Sequence, residues 1–400
     1  MGLALLPTRP RFVLRCYPPL GVGNRLTTNE LSDVDLEGLT FGSSLSGGIG
    51  GFDTLTATFA YPYAPREGIY PPRERQWWHA LFPSFGHVEL WVDGARVWEG
   101  RRIQVSKDRG FVTGITARGY AYTALDDAVF RHDPADTTGI TSLAVVQAVL
   151  SQAAPAIPAA TGPRVMDPGI GHTLAQFDQK PPSQIINQLA QEGGAGDDSW
   201  DFLVGLDRVP TFAPRLPPSL PDYHIAWGPA VTTYLEDDTD VYGAVTVQYT
   251  DLTSGASALT PTFADSSFPQ RNSGFLRGTI ISASGSMSAA SAAQFAKTYL
   301  ATHAYSRVSA KLQYSAGEGP EIAVGGAPQY PWLVSAGAWV QIGAELPQII
   351  IRAQYDASSA QLDIDLGLPL PYGLAELVHA FRIADQHYIN GTAPLSGATR

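Results

Sequence analysis

Three β-type runs joined by hairpin-turn signals stand between residues 88 and 119, and the same arrangement returns between residues 340 and 367. In the first, Val88-Glu89-Leu90 passes through Asp93-Gly94 into Gly100–Val105, and the polar turn Lys107-Asp108-Arg109-Gly110 leads on to Val112–Gly119. In the second, Val340-Gln341-Ile342 leads through a turn into Ile349–Tyr355, and the polar stretch Asp356–Ser359 leads on to Gln361–Gly367. Alternating apolar and polar residues place one kind of side chain on each face of a strand. Asp-Gly between two such runs marks a tight hairpin, because both central positions of the favoured turn need positive φ. The recurrence predicts two similar antiparallel units, one near each end of the chain.

Further β-type runs fill out both units. Phe12–Leu14, Asp33–Leu39 and Thr54–Phe59 join the first, with Gly47–Gly51 read as a flexible loop. Tyr242–Thr250, Gly274–Ser282, Arg307–Tyr314 and Ala338–Ile342 join the second. Between them the period changes. Ser142–Gln152 reads as a helix capped by Thr141 or Ser142, and Pro182–Gln191 as a second, with Pro in its first turn and Gly193-Gly194 at its end. Trp200–Leu206, Val209–Phe212 and Tyr223–Trp227 are short strand candidates; Ser288–His303 and Tyr372–Ala384 read as helices. The fold class expected is mainly β with an α+β insertion. Two similar β-barrel-like domains, residues 1–125 and 236–400, would flank a small mixed domain at 126–235. Charge divides the same way: net +2, −6 and −7 respectively for the first, last and middle segments.

Composition narrows the function. Only 16% of the residues are charged, and the formal net charge is −11. So low a charge fraction leaves much surface available for burial against other chains. A groove-type nucleic-acid binder needs a basic face, so a role in reading DNA or RNA is disfavoured. The one cysteine, Cys16, excludes an intramolecular disulfide framework and any Cys-based zinc or iron–sulfur site. No apolar run is long enough to span a membrane, and the opening residues lack the basic lead of a secretory signal.

Motifs for chemistry are absent. There is no phosphate-binding Gly-Lys-Ser/Thr, no HExxH, and no GxSxG elbow. Asp33–Gly38 imitates the start of a calcium loop, but position 12 is Ser44 in place of the bidentate Glu. The acidic clusters Asp197-Asp198-Asp201 and Glu236-Asp237-Asp238-Asp240 read as solvated turns. No catalytic, cofactor or metal site is expected.

The stretch from Tyr61 to Phe85 has no clear period and is rich in Pro and aromatic residues. A structureless segment of that length inside a compact domain is usually functional or disordered, and the aromatics argue against disorder. Two readings stand: a lid packed on its own barrel, or a docking arm whose Tyr70, Trp77, Trp78 and Phe82 anchor into a neighbouring subunit. A third use, stacking sugars on Trp77 and Trp78, is weakened because adjacent residues of a strand face opposite ways.

The order of these elements resembles the hub protein at the tail tip, or baseplate centre, of tailed bacteriophages. Val34–Thr58 is similar to the opening of such hubs, and Val88–Leu125 to their hairpin pair, with Asp-Gly, Val-Trp-Glu-Gly-Arg and Ala-Arg-Gly-Tyr in sequence. Trp200–Pro214 resembles the short central hairpin, Ala244–Tyr249 the entry to the second barrel, and Ala336–Gly367 with Leu374–Arg382 the closing strands and helix. The likeness spans about residues 30–385; the long aromatic loop departs from it, and no wall-degrading module is appended. The resemblance implies a structural virion protein at the tail tip and not an enzyme. It implies a homotrimer in which three pairs of barrels make a six-fold-like ring. Its partners would be the distal tail and tail-tube proteins, the tape-measure protein, and a fibre or receptor-binding protein. DNA would pass through without specific binding, which suits an acidic chain. The alternatives are a distal tail ring protein and a carbohydrate-binding or wall-acting β protein.

Overall fold

The computed structural model describes residues 10–19, 29–63, 81–108, 111–132, 139–158, 165–194, 199–215, 220–237, 239–266, 268–271, 274–303, 307–315, 318–345 and 347–367. The first strands are β1 (Phe12–Cys16), β2 (Asn29–Ser32), β3 (Leu36–Ser46), β4 (Ile49–Tyr63), β5 (His87–Val92), β6 (Ala95–Asp108) and β7 (Phe111–Arg118). A helical section follows: α1 (Tyr120–Thr123), β8 (Ile140–Thr141), α2 (Ser142–Ala153), β9 (Gly171–His172), α3 (Pro182–Glu192), β10 (Trp200–Val204) and β11 (Pro210–Pro214). Then come β12 (Tyr223–Ile225), β13 (Val231–Asp237), β14 (Ala244–Asp251), β15 (Ser257–Leu259), β16 (Phe263–Ala264), α4 (Phe268–Arg271), β17 (Gly278–Met287) and α5 (Ala289–His303). The last strands are β18 (Arg307–Tyr314), β19 (Glu321–Ile322), β20 (Trp339–Ile342), β21 (Gln348–Asp356) and β22 (Gln361–Leu366). The protein is mainly β, with helices set between the strands.

One continuous sheet organises the molecule, in the order β13-β18-β22-β21-β3-β4-β7-β6-β5-β1-β2. Its centre is the hairpin of β3 and β4. On one side β4 pairs with β7 of the meander β5-β6-β7; on the other, β3 pairs with β21 of the meander β20-β21-β22. The two recurring sequence units are therefore two three-stranded meanders flanking one hairpin.

Buried residues between 12 and 117 share one apolar core with residues 223–225 and 310–366. The cause is the antiparallel register of Thr40–Ser44 with Arg352–Asp356. Gly42 makes this close approach possible: a Cβ there would meet the Ala353 carbonyl oxygen at 2.3 Å. A second core holds α1, α2, α3, β10 and β11. A third packs α5, through Phe295, Ala296 and Leu300, onto Val245 and Val247 of β14, which pairs in parallel with β17.

Local chemistry explains the elements. Asp93 and Gly94 both have positive φ (50° and 83°) and join Val92 to Ala95 in a two-residue turn, as the sequence predicts. The Thr141 hydroxyl accepts from Ala144 N at the start of α2, and Gly193 ends α3 with φ 72°. Ser288 Oγ accepts from Ser291 N ahead of α5.

Two strand expectations change. Only Gly47 and Gly48 form the turn between β3 and β4; Ile49–Gly51 already belong to β4 and pair in parallel with Phe202–Val204 of β10. A Cβ at Gly50 would meet Leu203 Cδ2 at 2.7 Å, so the glycines serve close strand approach and not flexibility. The strand expected over Asp33–Leu39 is broken at Asp33–Asp35, a single tight turn, because the Asp35 carboxylate accepts from the Ser32 amide and hydroxyl. The helix expected over Tyr372–Ala384 and the hairpin tip at Arg109-Gly110 lie outside the described residues.

Candidate assembly surfaces and buried polar clusters

His87 and Glu89 alternate along β5 and so share a face; Arg96 and Glu99 reach them from β6. The Glu89 carboxylate accepts from His87 Nε2 (3.1 Å), Arg96 Nη1 (2.9 Å), Trp91 Nε1 (2.9 Å) and the Tyr17 hydroxyl (3.0 Å). Burial works to raise this carboxyl, but hydrogen bonds from His87, Trp91 and Arg96 outweigh it and draw the pKa down to about 2. Glu99 is more deeply enclosed, and burial raises its pKa against the pull of Arg96.

His87, Glu89 and Glu99 have the donor types and spacing of a metal site. Arg96 Nη1, however, lies 2.9 Å from Glu89 and 3.3 Å from Glu99, so a cation already occupies the space between the carboxylates. The cluster acts as a clamp between two cores. Arg96 pairs with Asp207, the Arg208 amide donates to Glu99 (2.6 Å), and His87 Nδ1 contacts the Tyr120 hydroxyl (2.8 Å).

Ser142, His172 and Glu192 bring together the residue types of a nucleophilic triad. Ser142 Oγ is 2.7 Å from His172 Nε2, and His172 Nδ1 is 3.6 Å from Glu192 Oε2. The hydrogen bonds run the wrong way for catalysis. Gln176 Nε2, a donor only, points at His172 Nδ1 (2.9 Å), so Nδ1 accepts and Nε2 carries the proton. The imidazole then donates to Ser142 instead of taking its proton, and Ser142 donates to the Ile170 carbonyl. All three side chains are buried. Burial lowers the His172 pKa to about 4, so the ring is neutral at physiological pH, and burial raises Glu192 to about 7. Glu192 Oε2 has no hydrogen-bond partner. The group ties β9 to α2 and α3.

An apolar cleft of about 400 Å³ opens between the β10–β11 turn, the segment 331–336, and the faces of β3, β6 and β21. Phe41, Phe52, Trp98, Trp332 and Tyr355 supply its walls; Leu206 and Leu333 are exposed at its margin. Two donors from its lining residues, Arg96 Nε and Trp98 Nε1, have no hydrogen-bond partner. Each such buried group costs about 1–3 kcal/mol.

Of the residues singled out in the aromatic loop, Tyr70, Trp77 and Trp78 lie outside the described residues. Phe82 faces inward: it is fully buried and stacks on Phe59 with ring centroids 5.5 Å apart. It is a core residue in this chain, not an exposed anchor. Asp201, read as part of a solvated acidic turn, is buried and held by Arg215 (Nε to Oδ2 2.7 Å). The clamp of His87, Glu89 and Arg96 was not anticipated. Its signal is present in the sequence: in His87-Val88-Glu89-Leu90-Trp91, the polar His87 and Glu89 share one face with Trp91, opposite the apolar Val88 and Leu90. Exposed apolar side chains also gather before and along β17, at Phe275, Leu276 and Ile280. Among the described residues no helix is long and apolar enough to cross a membrane.

No protein-family model and no curated protein matches the sequence. Solved structures do match in fold. The 43 kDa tail protein of prophage MuSo2 from Shewanella oneidensis superposes with a TM-score of 0.55 at 13% identity, over 89% of this chain and 97% of that one. Prophage tail protein gp18 from Listeria monocytogenes EGD-e does so with a TM-score of 0.55 at 11% identity, over 94% and 99%. The tail protein from Neisseria meningitidis MC58 gives 0.55 at 12% identity, over 89% and 95%. The chain therefore has the fold of phage tail proteins along nearly its whole length.

Proposed function

We propose that this protein is a structural subunit of a phage tail, and within it the trimeric hub that closes the distal end of the tail tube. The observation that carries the reading is the fold shared end to end with three tail proteins. The two meanders on either side of the β3–β4 hairpin support the finer role, since a three-fold hub that stacks on a six-fold tube needs two similar units per chain. Its partners are the distal tail and tube proteins above, the tape-measure protein inside, and a fibre or receptor-binding protein below. DNA passes without specific contact, in keeping with a net charge of −11. The role is geometric and not catalytic: the buried Ser142–His172–Glu192 group cannot activate a nucleophile. Tyr70, Trp77 and Trp78 are the residues through which the aromatic loop docks onto a neighbour.

Mass photometry with negative-stain imaging of the purified chain tests this. A particle near three times 42.7 kDa with a three-fold outline is expected. A monodisperse monomer at micromolar concentration, unchanged by added tail-tube protein, overturns the hub. Trp77→Ala with Trp78→Ala is expected to weaken assembly and leave the melting temperature of the chain unchanged.

A further inference from the structure

Phe85 is held out in water by its own backbone. Its φ of 56° lies in the left-handed region, which a bulky side chain rarely adopts, and the residue is 66% exposed. The turn Pro83–Gly86 that carries it is fastened to the core. Phe82, three residues away, is fully buried, and Gly86 N donates to the Pro83 carbonyl (2.9 Å). The buried Arg102 side chain donates through Nε to the same carbonyl (2.6 Å) and through Nη2 to Ser84 Oγ (2.7 Å). Strained backbone persists only where its surroundings over-determine it, and it clusters at functional sites. A rigidly presented aromatic ring is the kind of side chain that anchors an interface. Ile103, next to Arg102 on β6, is also exposed and widens the patch.

We propose that Phe85 of one copy of this chain anchors in the apolar cleft of the next copy. The chain carries the socket as well as the knob. The cleft, about 400 Å³, is walled by Phe41, Phe52, Trp98, Trp332 and Tyr355. A cavity of about 150 Å³ holds a benzene ring, and aromatic walls favour edge-to-face contact with a further ring. Charge permits the fit. Pro83-Ser84-Phe85-Gly86 carries none, and Arg96, the one charged residue of the described lining, is matched by Glu89, Glu99 and Asp207. Insertion therefore buries no unpaired charge. The knob cannot fill its own socket. Gly86 sits beside Arg102, whose amide donates to the Gly86 carbonyl (2.9 Å), four residues along β6 from Trp98. That is about 13 Å at about 3.3 Å per residue, and none of residues 81–92 belongs to the lining of the cleft. A contact between two unlike patches of the same chain is heterologous, and such contacts close into rings. One buried aromatic covers about 150–250 Å², well short of a stable interface of about 1,200–2,000 Å². The knob is thus the anchor of a larger contact between subunits. The inference rests on the proposed assembly into a three-fold hub and says which side chain locks adjacent subunits together.

Two measurements on the full-length chain, alone and with added tail-tube protein, test it. The first is assembly of Phe85→Gly, followed by mass photometry. Glycine adopts the left-handed backbone without penalty, so the melting temperature of the dissociated chain is expected to hold or rise. The concentration at which half of the chains assemble is expected to rise at least about tenfold. Leu333→Asp, at the exposed margin of the cleft, is expected to weaken assembly in the same way. A Phe85→Gly chain that melts earlier, or that assembles as the parent does, overturns the proposal and leaves the hub reading standing; a parent chain that assembles under neither condition overturns both. The second measurement places a benzophenone photocrosslinker at position 85 and mixes that chain with isotope-labelled parent chain. Crosslinks to labelled peptides of 203–206 or 331–336 are expected. No crosslink, crosslinks confined to its own chain, or crosslinks to other labelled segments within an intact three-fold particle overturn the knob and socket and not the hub.

Discussion

Replacing Glu192 by Gln is expected to make the protein more stable at alkaline pH, although it removes a charged group from a buried polar cluster of the second core. Glu192 is about 1% exposed, accepts from Gln188 Nε2 at 2.8 Å through Oε1, and leaves Oε2 without a partner. Its surroundings are the neutral imidazole of His172, the Gln188 amide, and Lys180, whose own pKa is lowered by burial. Burial lifts the Glu192 pKa from 4.5 to about 7. The sign follows from linkage. The folded state holds this proton more tightly than the unfolded chain, so the stabilisation is fully present below about pH 4.5 and is lost as pH rises through about 7. A rise of that size corresponds to about 3 kcal/mol. Glutamine keeps the acceptor for Gln188 and leaves no charge to bury. Urea denaturation at intervals from pH 5 to pH 8.5, followed by tryptophan fluorescence, measures the effect. The parent chain should lose stability across this range while Glu192→Gln stays nearly level, with the variant ahead by up to about 3 kcal/mol at pH 8.5. Parallel pH profiles for the two proteins, or a variant less stable at pH 8.5, would refute the reasoning.

Arg96→Met leaves Glu89 and Glu99 facing each other without their shared cation, and should cost about 3–5 kcal/mol in denaturant titrations at pH 7. Phe82→Ala removes a fully buried ring stacked on Phe59 and should cost about 3–5 kcal/mol by the same assay; a neutral result would mean that Phe82 is not a core residue. Gly50→Ala forces a methyl against Leu203 Cδ2 and the Ser44 carbonyl oxygen, and should cost about 1–3 kcal/mol while speeding hydrogen exchange in Phe202–Val204, the stretch that pairs with it.

The parts of the fold that depend on neighbours in sequence were legible. The helices α2 and α5 open on hydroxyl caps at Thr141 and Ser288, α3 carries proline in its first turn and stops at Gly193, and the Asp93-Gly94 turn states its own backbone requirement. The pairing of β3 with β21 leaves no such mark. Alternation reports that a strand has an inner face, but not which distant strand lies beside it, so the two meanders read as separate units. Gly50 and Gly51 carry the same ambiguity: loop mobility and close packing call for the same residue, and only β10 decides between them. The polar clamp was hidden because His87 and Glu89 fit the polar half of an alternating pattern; their burial comes from Tyr17, Tyr120 and Arg208, which arrive from elsewhere in the chain.

That long-range pairing sets a timetable for biogenesis. Residues Thr40–Ser44 leave the ribosome about 300 positions before their partners at Arg352–Asp356, a wait of roughly 15–60 s at about 5–20 residues per second. Throughout translation the middle of the future sheet stands with one flank unmatched, inviting strands of other nascent chains. The waiting stretch is Thr40-Phe41-Gly42-Ser43-Ser44, in which Phe41 is the single large apolar side chain; in the finished fold its ring packs against Tyr355 of the late-made strand, with centroids 5.7 Å apart.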